Sequence, residues 1–270
     1  MRHYPKSSRQ LRAEKDRRGF LIFGGCALFI AAGGAAAFTV ARSRPRDKKN
    51  SCLRDEKPAL QTYVIVDRTD PWSATQTALL KAAMTNIANM VTTEERLTLI
   101  AFDGSAERPA VALFDQCKTP DGNSANSAFQ NPFRVEKAHQ ETFVKPFGET
   151  LAAITTPSRA KETHLVVFIA NLAAQIRYEA RAGKTRIVIF IDMAENTPAL
   201  SVYAKIKGQF SNEIFARYFA SHMHGRLSGI SLEIVRLPPP GHSPDLEARI
   251  KNAWSVALAN NAVDFSMKDL

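Results

Sequence analysis

Tyr63-Val64-Ile65-Val66-Asp67-Arg68-Thr69-Asp70-Pro71 is the stretch on which the fold turns. A short apolar run passes directly into a carboxylate, a hydroxyl and a second carboxylate, and a proline follows. In an open α/β sheet, ligands bind just beyond the carboxyl ends of the strands. Asp and Thr delivered there are hard oxygen donors, the type that Mg²⁺ or Mn²⁺ prefers. A second apolar run, Arg186-Ile187-Val188-Ile189-Phe190-Ile191, ends in the same way, in Asp192-Met193-Ala194-Glu195-Asn196. Two such strands in one sheet would bring both acids to one edge.

Working outward, strand and helix patterns alternate. Thr62–Val66 is a strand. Apolar residues at three-four spacing predict a helix over Trp72–Val91, and strands follow at Leu97–Phe102 and Ala110–Phe114. Residues 115–133 form one long loop rich in Asn, Ser, Gly and Pro, a candidate for setting partner choice. Helices are expected over Phe133–Ile154, Thr163–Ala182 and Asn212–His222, with a strand at Ile230–Val235. Pro238-Pro239-Pro240 breaks the chain, Ser243 caps a final helix through Ala259, and Val263–Phe265 is an edge strand. This alternation implies an α/β, doubly wound, mostly parallel sheet over residues 61–270, covered on both faces. Trp254 reads as a core anchor and His242 as an exposed loop residue. His222 and His224, two apart, do not share a helical face and make a poor metal pair.

The net charge of +10 is unevenly placed. Residues 1–57 hold fourteen Lys/Arg against five Asp/Glu, whereas residues 58–270 are nearly balanced at +1. A nucleic-acid-binding domain carries its charge on a folded face, so no nucleic-acid partner is expected. Between Gly19 and Ala41 there is no charged residue. Twenty-three residues span roughly 35 Å as a helix, enough to cross a bilayer core of about 30 Å. The expected organisation is a basic cytoplasmic tail (1–18), a transmembrane helix (19–41), a charged stalk (42–60) and the α/β domain. A cleaved signal peptide, with Ala35-Ala36-Ala37 as its cleavage site, is the rival, although its apolar core is normally about 7–15 residues. Ala27, Ala31 and Ala35 lie at a spacing that permits close helix–helix approach and a homodimer.

Basic residues flank the apolar run almost equally, so the positive-inside rule does not orient it. The cysteines do. Cys26 lies in the apolar run, which leaves Cys52 and Cys117 as one pair in the soluble part. A Cys52–Cys117 disulfide requires an oxidising compartment. It places the N-terminus in the cytoplasm and the domain in a bacterial periplasm, on the inner membrane. Two free cysteines are the alternative.

A strand ending Asp-x-Thr, a helix behind it and a later strand ending in Asp resemble the von Willebrand factor type A domain family. The resemblance spans roughly residues 60–236. It is similar to a little-described group of membrane-anchored bacterial proteins with such domains. In that family, Asp-x-Ser-x-Ser, a Thr from a later loop and an Asp after a later strand form a metal-ion-dependent adhesion site. Asp192-Met193-Ala194-Glu195-Asn196 is similar to the Asp-Gly-x-x-Asn that often ends the equivalent strand. The resemblance implies that Asp67 and Thr69 contact the metal, and that Thr163, with Ser158 as rival, supplies the threonine. Asp192 would hold a metal-bound water, which suits Mg²⁺.

Pro71 stands where the motif has its second serine, and Met193 where it has glycine. Asp70 is either a carboxylate beside the metal or a helix N-cap with Pro71 at the first helical position. The expected function is a non-enzymatic binding or assembly module engaging a carboxylate of an envelope protein through Mg²⁺ or Mn²⁺. A metal-free scaffold is one alternative. The other is a Mg²⁺-dependent phosphatase of haloacid dehalogenase type, whose Asp-x-Asp-x-Thr order differs from the Asp-x-Thr-Asp here.

Overall fold

The structure, a computed structural model, describes residues 45–105, 110–125, 130–158, 160–203, 210–239 and 241–270, with helical positions at 23, 25, 26, 28–30 and 33. The transmembrane expectation for 19–41 and its Ala27/Ala31/Ala35 stripe lie largely outside the described residues. Among the described residues, no helix is long and apolar enough to cross a membrane.

The α/β domain is built on six strands. They are β1 (Leu60–Asp67), β2 (Arg96–Phe102), β3 (Ala112–Cys117), β4 (Lys184–Ile191), β5 (Ile230–Arg236) and β6 (Asp264–Asp269). Their spatial order is 3-2-1-4-5-6, that of a doubly wound, Rossmann-like sheet. All neighbours are parallel except β2 and β3. The central strands β1 and β4 are Val/Ile runs because both faces of the sheet are covered. Val64 and Val66 face a core with Leu80, Met84 and Ile87 of α1 (Ala74–Met90) and with Phe143 and Phe147. Tyr63 and Ile65 face the opposite core. There they meet α4 (Leu165–Glu179), α5 (Asn212–Met223) and α6 (Pro244–Asn260), where Phe215, Phe219 and Trp254 cluster.

The helix expected over Phe133–Ile154 is interrupted. α2 (Pro132–His139) and α3 (Lys145–Ile154) are joined by a π turn at Gln140–Val144. Pro146, just beyond it, has no N–H for the regular ladder, and a wider turn absorbs the fault. The long polar segment leaves β3 at Cys117, which pairs with Arg96 at the start of β2. It therefore begins at the sheet edge opposite Asp67, and the partner-choosing role expected of it does not follow from its position.

Within the expected stalk, residues 45–53 fold back on the domain. Arg46 bridges to Leu53 and pairs with Glu94, and the Cys117 N–H donates to the Asn50 carbonyl at 2.8 Å. Cys52 and Cys117 are disulfide-bonded, 65 residues apart. Closing a loop of that length restricts the unfolded chain by about 4 kcal/mol on the entropy model. Reduction, or Cys52→Ser with Cys117→Ser, is expected to lower stability by about 2–5 kcal/mol. Urea unfolding with and without dithiothreitol measures this, and the double variant should be indifferent to the reductant.

Candidate functional site

The register brings the two acids together. Val66 pairs with Phe190, so Asp67 lies level with Ile191 and Asp192 follows one residue later. Strand order reverses between β1 and β4, and this is the switch point at which doubly wound sheets bind ligands. Asp67, Thr69, Asp70 and Asp192 line one small cavity together with Pro71, Trp72, Gln76, Leu237 and Pro239. It has room for about one water-sized species, about 10 Å³.

Both acids sit in the same local device. Asp67 Oδ1 accepts from the Thr69 N–H at 2.9 Å and the Thr69 hydroxyl at 2.7 Å. Asp192 Oδ1 accepts from the Ala194 N–H at 2.8 Å. These Asx turns hold each carboxylate at its strand end. They leave Asp67 Oδ2 buried with no partner. Among the described residues, no cationic side chain forms an ion pair with Asp67 or Asp192. Burial pushes both carboxyls well above the usual carboxylate range, and the neighbouring acid charges, Asp192 on Asp67 and Asp70 on Asp192, add to the effect. Burial also raises the Tyr203 hydroxyl, and the charges of Asp192 and Asp70 add to the effect.

Surrounding loops fix the geometry. The Arg68 N–H donates to Phe102 O, while Ser158 and Ala160 donate backbone N–H groups to Arg68 O and Thr69 O at 2.8 and 3.2 Å. Gly104 (φ +94°) makes this approach possible. A Cβ there would lie 2.5 Å from the Glu162 carbonyl and 2.6 Å from Ala160 Cβ. Farther along the same loop, Thr163 and Asn196 exchange backbone hydrogen bonds at 2.8 and 3.1 Å. Thr163 thus belongs to the segment that ties the two acid loops together, but it is not among the residues lining the cavity. Ser158 spends its hydroxyl on Arg68 O at 3.1 Å.

The cap expected at Asp70 is instead Ser73. Its side chain accepts from the Gln76 N–H while Gln76 Oε1 accepts from the Ser73 N–H, a reciprocal capping box. α1 accordingly starts after the Asp-Pro pair, and Asp70 stays at the exposed rim. Gln76 also donates to Pro238 O at 3.0 Å, holding the proline loop over the cavity.

Met193, where glycine is expected from the resemblance, has φ +68° and is fully buried. The backbone keeps the left-handed turn that glycine adopts without strain. The Met side chain fills the core instead, and its carbonyl accepts from Trp254 Nε1 at 2.9 Å.

Three groups escaped the sequence reading. Glu195 is wholly buried and accepts from the Val166 N–H at the start of α4 and from the Tyr218 hydroxyl. Burial raises its carboxyl to about 7. His242 is half-buried rather than exposed, paired with Glu247 and 3.2 Å from the Tyr203 hydroxyl. Arg236 is buried and pairs with Glu247 and Asp269. His222 bonds to Tyr218 O within its own helix.

Asp67 Oδ2, the Thr69 hydroxyl and Asp192 offer hard oxygen donors around a space of one small ion or water. Among the described residues, no group of three or more His, Cys, Asp or Glu is arranged to hold a metal. An ion filling that space would therefore complete its shell with water on the rim side, where Asp70 is exposed. Mg²⁺ tolerates this arrangement, since it dehydrates reluctantly. The donor set fits such a cation.

No family model and no curated protein matches the chain. Among solved structures it is similar to an aerotolerance-related membrane protein from Bacteroides fragilis NCTC 9343, crystallised with multiple mutations to serines. The identity is 12%, the alignment covers 78% of this chain and 92% of that one, and the TM-score is 0.39. That likeness is too loose to bear on fold or function, and the architecture stands on its own strand order and register.

A carboxyl whose folded pKa lies above its unfolded value binds more protons when folded. Its contribution to stability is therefore lost as pH rises from near 4 through the folded value. With Asp67, Asp192 and Glu195 all raised, the metal-free chain is expected to lose stability between about pH 4 and pH 8. Asp67→Asn should flatten that slope and raise the urea midpoint at pH 7.5 in EDTA. A midpoint that climbs with pH would contradict the assignment.

Proposed function

We propose that the chain is a membrane-anchored, periplasmic binding and assembly module that uses a divalent cation at the β1/β4 switch point to engage a carboxylate of an envelope protein. The observation that carries this reading is the buried, unpartnered Asp67 Oδ2 beside a second buried carboxylate, with no cationic side chain among the described residues paired to either. Such a pair is costly in isolation, because an unpaired buried charge loses hydration without recompense.

Bound there, Mg²⁺ or Mn²⁺ supplies a hard, positive centre with a coordination position open to a partner's oxygen. Asp67 would hold it through Oδ2 and Thr69 through its hydroxyl, while Asp192 would fix a water of the ion. Thr163 is a further candidate ligand by resemblance. Asp70, at the rim, adds negative charge that favours cation entry. Pro71, lacking the motif's second hydroxyl, leaves one more position to water or partner. The domain's near-neutral charge outside residues 1–57 supports a protein rather than a nucleic-acid partner. The Cys52–Cys117 disulfide supports an oxidising compartment. Single-pass anchoring through 19–41, with the N-terminus in the cytoplasm of the host bacterium, rests on the sequence pattern.

The raised Asp67 carboxyl favours one second reading. In a metal-free scaffold, Asp67 is protonated and the cavity is only structural.

Calorimetric titration of Mg²⁺ and Mn²⁺ into the full chain in detergent separates the two. Saturable one-to-one binding, lost in Asp67→Ala and Asp192→Ala variants that keep their fold, is the expected result. No saturable heat in the folded wild type leaves the scaffold reading in place.

A further inference from the structure

The same cavity contains a group that a bare cation does not explain. Trp72 borders it, packed partly against the α1-side core. Its Nε1 is buried with no hydrogen-bond partner, as is Oδ2 of Asp67, which lines the same cavity. An indole nitrogen is a donor only, and a buried donor without an acceptor is destabilising. The other tryptophan, Trp254, has its acceptor in Met193 O at 2.9 Å.

Two carboxylates demand positive charge or a donor, whereas the indole demands an acceptor. Two kinds of occupant meet both demands at once: a water, which donates to a carboxylate and accepts from the indole, and, on the cation reading, a cation that carries an oxygen ligand on its open side. A free carboxylate does not, because Asp67, Asp70 and Asp192 repel it. The walls beside the indole are Leu237, buried in the core, and Pro239, held in place through the Gln76–Pro238 hydrogen bond. They offer the occupant's stem an apolar surface and no competing donor.

We propose that Trp72 is the residue that selects the partner's ligand, its indole N–H donating to the carboxylate oxygen presented to the cation at the Asp67–Asp192 cavity. This rests on the cation reading above. It makes the partner's contact an acidic side chain flanked by apolar atoms, and it gives an ordinary carboxylate an advantage over water at the open position. Hydrogen bonds to charged groups contribute about 1.5–3 kcal/mol, so loss of the N–H should weaken carboxylate binding about tenfold or more.

The test uses the full chain in detergent micelles with ¹⁵N-labelled backbone and indole groups. The chain has two tryptophans, hence two indole signals. Mg²⁺ is added to saturation and acetate is then titrated, with the Thr69 amide as reporter of site occupancy. The expected result is an acetate-dependent downfield shift of the Trp72 indole proton that requires Mg²⁺. In Trp72→Phe, which keeps the ring, the Thr69 amide should still answer Mg²⁺ with unchanged affinity but answer acetate about tenfold more weakly. If acetate moves the Thr69 amide equally in wild type and Trp72→Phe, the selecting role of Trp72 is overturned while the cation site stands. An indole proton already shifted downfield without additions, and indifferent to them, means a resident water is its acceptor and also overturns the proposal. A Thr69 amide that ignores Mg²⁺ removes the cation reading and the proposal with it.

Discussion

Two buried carboxylates with no cationic side chain among the described residues to balance them are the constraint around which the upper edge of the sheet is organised. Neither Asp67 nor Asp192 could sit there for stability's sake, because each loses hydration and a neighbouring acid, Asp192 for Asp67 and Asp70 for Asp192, raises its cost of ionisation. The surrounding architecture nevertheless holds them in place with many bonds. Two Asx turns, the backbone pairs from Ser158, Ala160 and Thr163, and the Gln76 tether to the proline loop all converge on the cavity. Rigid support for an energetically unfavourable pair is the pattern of a functional site, where stability is given up locally and restored by the cores on both faces of the sheet.

The opposite edge has a different character. There Cys52–Cys117, Arg46–Glu94 and Arg96–Asp115 tie residues 45–53, the start of β2 and the end of β3 together. Cross-linking and ion pairing at that edge stabilise the fold, while the acid edge carries uncompensated charge. A parallel sheet makes this division natural, since all its carboxyl ends emerge on one side.

Much of this was legible in the sequence, and the misses have physical causes. Continuous Val/Ile runs marked β1 and β4, Ser243 marked the start of α6, and the cysteine pair was identified because only two remained outside the apolar run. Asp70-Pro71 looked like a cap because Asp before Pro is a good one. The Ser73/Gln76 box three residues on won because it satisfies two backbone donors at once. Met193 concealed its left-handed backbone, since nothing in a methionine announces a positive φ. His242, Glu195 and Trp72 went unrecognised as parts of the site region for one shared reason. Each has a neighbour distant in sequence: Val166 and Tyr218 for Glu195, Tyr203 for His242, and Leu237 and Pro239 for Trp72.

Diffraction from crystals of the chain soaked in Mn²⁺, recorded at the manganese absorption edge, tests the central claim most directly. The account predicts a single anomalous peak in the cavity, within bonding distance of Asp67 Oδ2 and linked to Asp192 through water. A cavity holding water alone, with manganese absent or bound only at exposed carboxylates such as Asp103 or Glu162, would contradict it.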